Sequence, residues 1–219
     1  MRILLTGATG LVGQGVLHEC LRAPGVTRVV ALGRHPSGHS DPKLEDLVVA
    51  DFADLHAVED RLQPFDACLY CAGAPPVGTA EAPYRHVTLD LTTHVARTLA
   101  RHNPKLTFVY ISGAHSNPDS HLMPLRVKGE TERALQALPI RTIMLRPGGI
   151  QPVGGERSPH AALATMYEVA GPLMGLGVRL MPGLMTTTER VGRAMLALLR
   201  ERDPPAVVEN AEINRLGAG

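Results

Sequence analysis

The residues with the most chemical content stand near the start of the chain. Thr6-Gly7-Ala8-Thr9-Gly10-Leu11-Val12-Gly13 follows a short apolar run and opens an amphipathic stretch. Gly7 suits a tight strand-to-helix turn, and Gly10 lets a pyrophosphate approach the main chain with no Cβ in the way. Gly13 allows close packing of helix on strand. Free amides at the start of the helix then attract an anion. The octapeptide, with Gly7, Thr9, Gly10, Leu11, Val12 and Gly13 as contacts, is expected to hold a dinucleotide. A glycine-rich turn without a ligand is the competing reading.

Residues further along extend this candidate site. The second apolar run ends in Ala31-Leu32-Gly33-Arg34, followed by His35. An acidic residue there would accept the ribose 2′-hydroxyl of NAD, whereas a guanidinium pairs with a 2′-phosphate. Arg34 therefore predicts NADP(H) over NAD(H); NAD(H) is the alternative if Arg34 is only a solvated loop arginine. Asp51 and Phe52, closing the third run, are expected to border the adenine. Cys71, Ala72 and Gly73, closing the fourth, supply small residues where the cofactor would pass.

These positions need a scaffold of alternating strands and helices. Nearly continuous aliphatic or β-branched runs at 2–6, 28–32, 47–50, 67–71, 107–111 and 141–145 read as strands covered on both faces. Amphipathic stretches at 11–22, 55–62, 87–101 and 125–138 read as helices. In the third of these, Leu91, Val95, Thr98 and Leu99 share a face that Arg97 and Arg101 avoid. Such alternation implies right-handed crossovers, hence an α/β, Rossmann-like doubly wound parallel sheet with helices on both faces.

Beyond Ile150 the pattern loosens. Residues 151–160 read as a Gly/Pro loop, 161–169 as a helix, and 173–185 as a Met-rich apolar segment interrupted by Gly and Pro. That segment suits core cover, an apolar pocket wall, a lid or a subunit contact. A last helix opens on Thr186, Thr187 and Thr188, all N-cap candidates, with Val191, Met195 and Leu198 on one face. With no repeat or linker in view, one domain spanning 1–219 is expected, 151–219 forming a C-terminal cap or substrate region.

Composition narrows the classes. The 219 residues, 44% hydrophobic and 20% charged, give an ordinary globular chain with room for one buried core. Lys and Arg number 22 against 21 Asp and Glu, a balance of +1 that offers no footprint for nucleic acid or an anionic membrane. No Trp, three Phe and four Tyr argue against a stacking platform for single strands. Three cysteines do not make a disulfide scaffold. Cys68 and Cys71 lie in an apolar run where residues three apart face opposite ways, so they read as core packing, not as a redox pair or zinc ligands. No run approaches the ~20 apolar residues of a membrane span. No signal-peptide pattern opens the chain, and a reducing cytoplasm is the expected location.

The Thr6–Gly13 spacing, the Ala72-Gly73 pair, Ser112 after the fifth run, Lys128 in the next helix and Arg146-Pro147-Gly148 after the sixth together resemble the short-chain dehydrogenase/reductase superfamily. More narrowly, they resemble its atypical, NAD(P)-binding, epimerase/dehydratase-like members. The run Arg126-Val127-Lys128-Gly129-Glu130-Thr131-Glu132 is similar to a helix of the small Tat-interacting-protein-like oxidoreductases.

The resemblance implies hydride transfer to or from a small carbonyl or alcohol substrate. Ser112 would polarise the substrate oxygen and Lys128 would hold the nicotinamide ribose. A tyrosine four residues before the lysine would carry the proton. Pro147 and Gly148 would lie against the nicotinamide. At the tyrosine position stands Pro124, which has no proton to give and suits a helix's first turn. Three readings stay open. His115 or His121 supplies the proton; the protein binds NADP(H) without turnover, as a regulatory or sensor module; or the substrate needs little acid assistance. Tyr84 and Arg85 are candidates for the pocket mouth, against plain surface positions. A sugar-nucleotide epimerase or dehydratase fits less well, because little chain follows Ile150 to enclose so large a substrate.

Overall fold

The computed structural model describes residues 1–153, 155 and 183–219. In chain order, β1 (Arg2–Thr6), α1 (Leu11–Arg22), β2 (Arg28–Gly33) and β3 (Leu44–Val48) come first, followed by a 3₁₀ helix at His56–Arg61 and β4 (Ala67–Tyr70). Next, α2 (Glu81–Arg85) runs through one π-helical turn, His86–Asp90, into α3 (Leu91–His102). The chain continues with β5 (Thr107–Ile111), α4 (Met123–Gln136), β6 (Arg141–Arg146) and β7 (Gly149–Gln151). After the segment outside the description come β8 (Met185–Thr187), α5 (Thr188–Leu198), β9 (Val207–Glu209) and α6 (Asn210–Leu216).

One sheet has the order β3-β2-β1-β4-β5-β6-β9, and every pairing in it is parallel. This is the Rossmann-like architecture the alternating pattern predicts. From β1 the chain winds outward to β3, then returns to place β4 on the other side of β1. Successive loops therefore diverge at the carboxyl ends of β1 and β4, where a crevice must open.

Side chains alternate across the sheet. Ile3 and Leu5 face Val16 and Leu17 of α1 and Val191 and Met195 of α5, all buried. Leu4 points the other way, to the layer that holds Val95 and Leu99 of α3 and Leu135 of α4. Each such aliphatic side chain contributes roughly 1.5–3 kcal/mol on burial. The two cysteines obey the same alternation, Cys68 packing in the α3 layer and Cys71 against the α1 layer. Burial raises both thiols well above the ordinary range, so neither is a thiolate at neutral pH.

Helix α5 depends on a cap that the sequence advertises. Thr187 Oγ1 accepts the Arg190 amide at 3.1 Å. Helix α5 lies directly on α1: a Cβ on Gly192 would press on Glu19 and Val16, and Arg193 Nε donates to Glu19 at 3.1 Å.

Several elements differ from expectation. The third strand is Leu44–Val48, not 47–50. It is an edge strand, so its outer residues are polar and its apolar run is short; Glu45 there accepts Arg28 and Arg61. Residues 55–62 give a 3₁₀ helix in place of an α-helix. Strands β7, β8 and β9 have three residues each, too few to show a period. The predicted helix at 161–169, and most of the 151–160 loop and the Met-rich segment, lie outside the described residues. Among the described residues, no helix is long and apolar enough to cross a membrane.

Candidate functional site

The crevice is built by main chain. As β1 ends, Gly7 takes φ 72°, a left-handed conformation that only glycine adopts without strain. The Cβ it lacks would collide with Cys71 and Ala72, which leave β4 beside it. Gly10 N donates to Gly7 O at 2.9 Å, closing the turn, and Gln14 N donates to Gly10 O at 2.9 Å, starting α1. Thr6 Oγ1 accepts the Ala72 amide at 3.2 Å and so ties the two strand ends together.

A cavity of about 350 Å³ opens here. Its wall brings together eight of the predicted residues: Gly7, Thr9, Gly10, Arg34, Phe52, Cys71, Ala72 and Gly73. Ala8, Ala31, Leu32, Gly33 and His35 join them. Ala8 was not singled out by the sequence, although its place inside the glycine turn made it a neighbour of any ligand there.

The other predicted cofactor residues do not line this wall. Gly13 acts one step back, since a Cβ on it would overlap the carbonyl of Gly7. Leu11 and Val12 are in the first turn of α1. Asp51 is exposed and turns back on its own loop, Oδ1 accepting the Ala53 amide at 2.9 Å, so Phe52 alone of that pair reaches the cavity. The reason is the early end of β3, which leaves Asp51 in a turn.

Lys128, Ser112, Pro147 and Gly148 form a second group at the ends of β5 and β6. Lys128 Nζ donates to the carbonyls of Ile111 (3.2 Å) and Ser112 (2.9 Å) and stands 5.5 Å from the centre of the Tyr110 ring. Burial pulls its pKa from 10.5 down to about 8, with Glu132 pulling the other way. Ser112 is buried, its Oγ 3.0 Å from Ser116 Oγ, and Ser116 Oγ donates to Gly113 O at 2.7 Å. A hydroxyl has one hydrogen. Ser116 has committed its own, so Ser112 donates to Ser116 and keeps only lone pairs for a ligand. The expectation that Ser112 polarises a carbonyl oxygen therefore does not match this rotamer.

The turn after β6 is pinned from several sides. Pro147 O accepts the Ala114 amide at 2.9 Å, and Gly148 N donates to Asn210 Oδ1 at 2.9 Å. Asn210 in turn donates to Met185 O at 3.0 Å. Arg146 is held by a two-point pair with Glu132 (3.0 and 2.5 Å) and by Glu209 at 3.0 Å, which raises its pKa further. Asn210 carries no sequence signal, because its role appears only when the C-terminal helix meets β8.

The remaining candidates separate. Pro124 is in the first turn of α4. His115 and His121 are exposed, and His115 holds a positive φ of 62°. Tyr84 is buried in the fold, and Arg85 is paired with Glu130, so neither is presented at the cavity mouth. Arg126 pairs with Glu81 at 2.8 Å, a second tie between α2 and α4.

Residues 3–139 match the NAD dependent epimerase/dehydratase family. The chain belongs to that family. The resemblance carried by the Thr6–Gly13 turn thus holds, and with it an NAD(P)-class, nucleotide-binding, oxidoreductase-like protein. Over 200 residues the chain is 28% identical to "Protein fmp52, mitochondrial" of Emericella nidulans, covering 88% of this chain and 84% of that one. Over 178 residues it is 33% identical to the protein of the same name in Aspergillus fumigatus, covering 77% and 75%. UDP-glucuronic acid 4-epimerase from Bacillus cereus, solved in complex with NAD, has the same fold. It gives a TM-score of 0.69 at 17% identity over 94% of this chain and 76% of that one. The expected cytoplasmic location is corrected by these comparisons, since these two curated relatives are named mitochondrial.

Proposed function

We propose that the protein binds NADP(H) across the crevice between β1 and β4 and moves hydride to or from a small carbonyl or alcohol substrate. One observation carries the reading: the cavity wall combines the glycine turn Gly7–Gly10 with Arg34 and His35. The fit is that of a diphosphate flanked by a 2′-phosphate. A Cβ would be obstructed at Gly7, while space is open at Gly73. Arg34 is exposed and has no carboxylate partner among the described residues. On this reading the amides of Leu11 and Val12 complete the diphosphate site and Phe52, with Asp51 beyond it, borders the adenine. Pro147 and Gly148 back the nicotinamide. Lys128, with two of its N–H groups on carbonyls, offers the third to the ribose.

The bound nicotinamide supplies the hydride chemistry. This chain's residues orient the reacting carbon and handle the proton. Ser112 accepts a hydrogen bond from a substrate hydroxyl. Pro124 has no proton to give, and the group beside Ser112 that changes charge near neutral pH is Lys128. The second reading, an NADP(H)-binding regulatory module without turnover, is favoured by the inward donation of Ser112 to Ser116.

Calorimetry with NADPH and NADH, on the native protein and on Arg34→Glu, tests the cofactor assignment. Losing a charge-assisted pair and gaining repulsion should weaken NADPH binding roughly 100-fold while NADH binding changes little. Equal losses for the two nucleotides would refute the 2′-phosphate site. NADPH consumption over a carbonyl panel then separates the enzyme from the module.

A further inference from the structure

Two histidines outside the nucleotide cavity have converging side chains. His18 is on α1, and His39 is in the loop that begins with Arg34 and leads to β3. Their Nε2 atoms are 3.1 Å apart, with ring planes at 69°. The orientation of His39 is set from behind. Its Nδ1 is 3.1 Å from the Ser37 carbonyl, which can only accept, so Nδ1 carries the hydrogen and Nε2 presents a lone pair toward His18. Ser37 is itself buried and fixed, its amide donating to Asp46 Oδ1 at 2.9 Å. A backbone carbonyl behind the far ring nitrogen is the outer support that metal-bound imidazoles use.

We propose that His18 and His39 form a binding site for a divalent late transition ion, Zn²⁺ or Cu²⁺. Two imidazole nitrogens at about 2.0–2.1 Å from a tetrahedral ion stand about 3.3 Å apart, close to their present 3.1 Å, and each ring must also tilt so that its lone pair aims at the ion and not along the line between the nitrogens. The ion replaces the single hydrogen between the rings, and that hydrogen leaves for solvent. Among the described residues, no group of three or more His, Cys, Asp and Glu side chains gathers for a metal, so the two imidazoles are the donors those residues supply at this part-exposed place. Imidazole donors bind Cu²⁺ more tightly than Zn²⁺. The ion would link the loop bearing Arg34 to the helix whose first turn faces the crevice.

The test uses the full chain without a histidine tag, titrated calorimetrically with zinc chloride and, separately, followed by electron paramagnetic resonance with Cu²⁺. One ion per chain should bind, with affinity reduced at least about tenfold in His18→Ala and in His39→Ala. It should be unchanged in His56→Ala and His86→Ala, whose rings face Glu59 and Asp90. The Cu²⁺ spectrum should show coupling to two nitrogens in the native protein and fewer in either variant. Circular dichroism checks that the variants fold, and His39→Gln repeats the measurement with a longer polar side chain. Equal affinity in all variants, binding spread over several histidines, or no saturable binding would overturn the site and leave a plain imidazole–imidazole hydrogen bond.

Discussion

Replacing Lys128 with methionine keeps most of the side-chain length and removes its charge. The folded protein holds this ammonium where burial lowers its pKa from 10.5 to about 8. At about 1.4 kcal/mol per pH unit, that gap makes the charged form cost roughly 3 kcal/mol of stability. Below pH 8 the lysine is protonated in both folded and unfolded chains, and the whole cost is present. Between about 8 and 10.5 the unfolded chain holds a proton that the folded one has released, so stability rises with pH. Above 10.5 both are neutral and the cost is gone. Methionine escapes the cost but leaves the Ile111 and Ser112 carbonyls without their donor, a loss of about 1–2 kcal/mol. Lys128→Met is therefore expected to be about 1–2 kcal/mol more stable than the native protein at neutral pH and less stable by about as much near pH 10.5. Urea unfolding followed by circular dichroism at intervals from pH 7 to 10.5 measures it. Thiol and phenol titrations are common to both proteins and cancel in the difference. A difference that stays flat across this range would refute the buried-ammonium argument, whatever its sign.

Other substitutions probe separate parts of the site. Gly13→Ala drives a methyl group into the Gly7 carbonyl and should cost about 3 kcal/mol, lowering Tm by roughly 10 °C and removing pyridine-nucleotide binding in calorimetry. Asn103 accepts the Phe65 amide at 2.7 Å and donates to the Leu62 and Leu99 carbonyls. Asn103→Ala strands these buried groups and should lose about 3 kcal/mol in urea unfolding. His115→Gly relieves a φ of 62° and should gain about 1 kcal/mol; any turnover found should persist in it, and abolition would reinstate a histidine proton donor.

The fold was legible where local pattern and burial agree. Strands β1 and β5 match their predicted limits because both faces are covered and the sequence is continuously apolar. The glycine turn was legible for a different reason: its residues are dictated by space, as the collisions at Gly7 and Gly13 make plain. Strand β3 was misjudged by its polar outer edge, and β9 is too short to carry a pattern. At the site, the family resemblance points to Lys128 and Ser112, but not to their partners. Ser116 matters because the turn through His115 brings its hydroxyl back onto Gly113, and no periodicity encodes that. Asn210 reaches the Gly148 amide across 62 residues of sequence, a contact that arises only from the packed tertiary arrangement.

The pairing of α5 with α1 has a consequence during synthesis. Arg193 and Glu19, joined in that layer, are separated by 174 residues. A ribosome adding about 5–20 residues each second leaves the apolar side of the first helix without its cover for on the order of ten seconds or more. Through that interval the glycine turn has emerged but lacks the support behind it. The nascent chain therefore carries an exposed apolar stripe through that interval, and the first helix is fully packed only when the C-terminal part of the chain arrives.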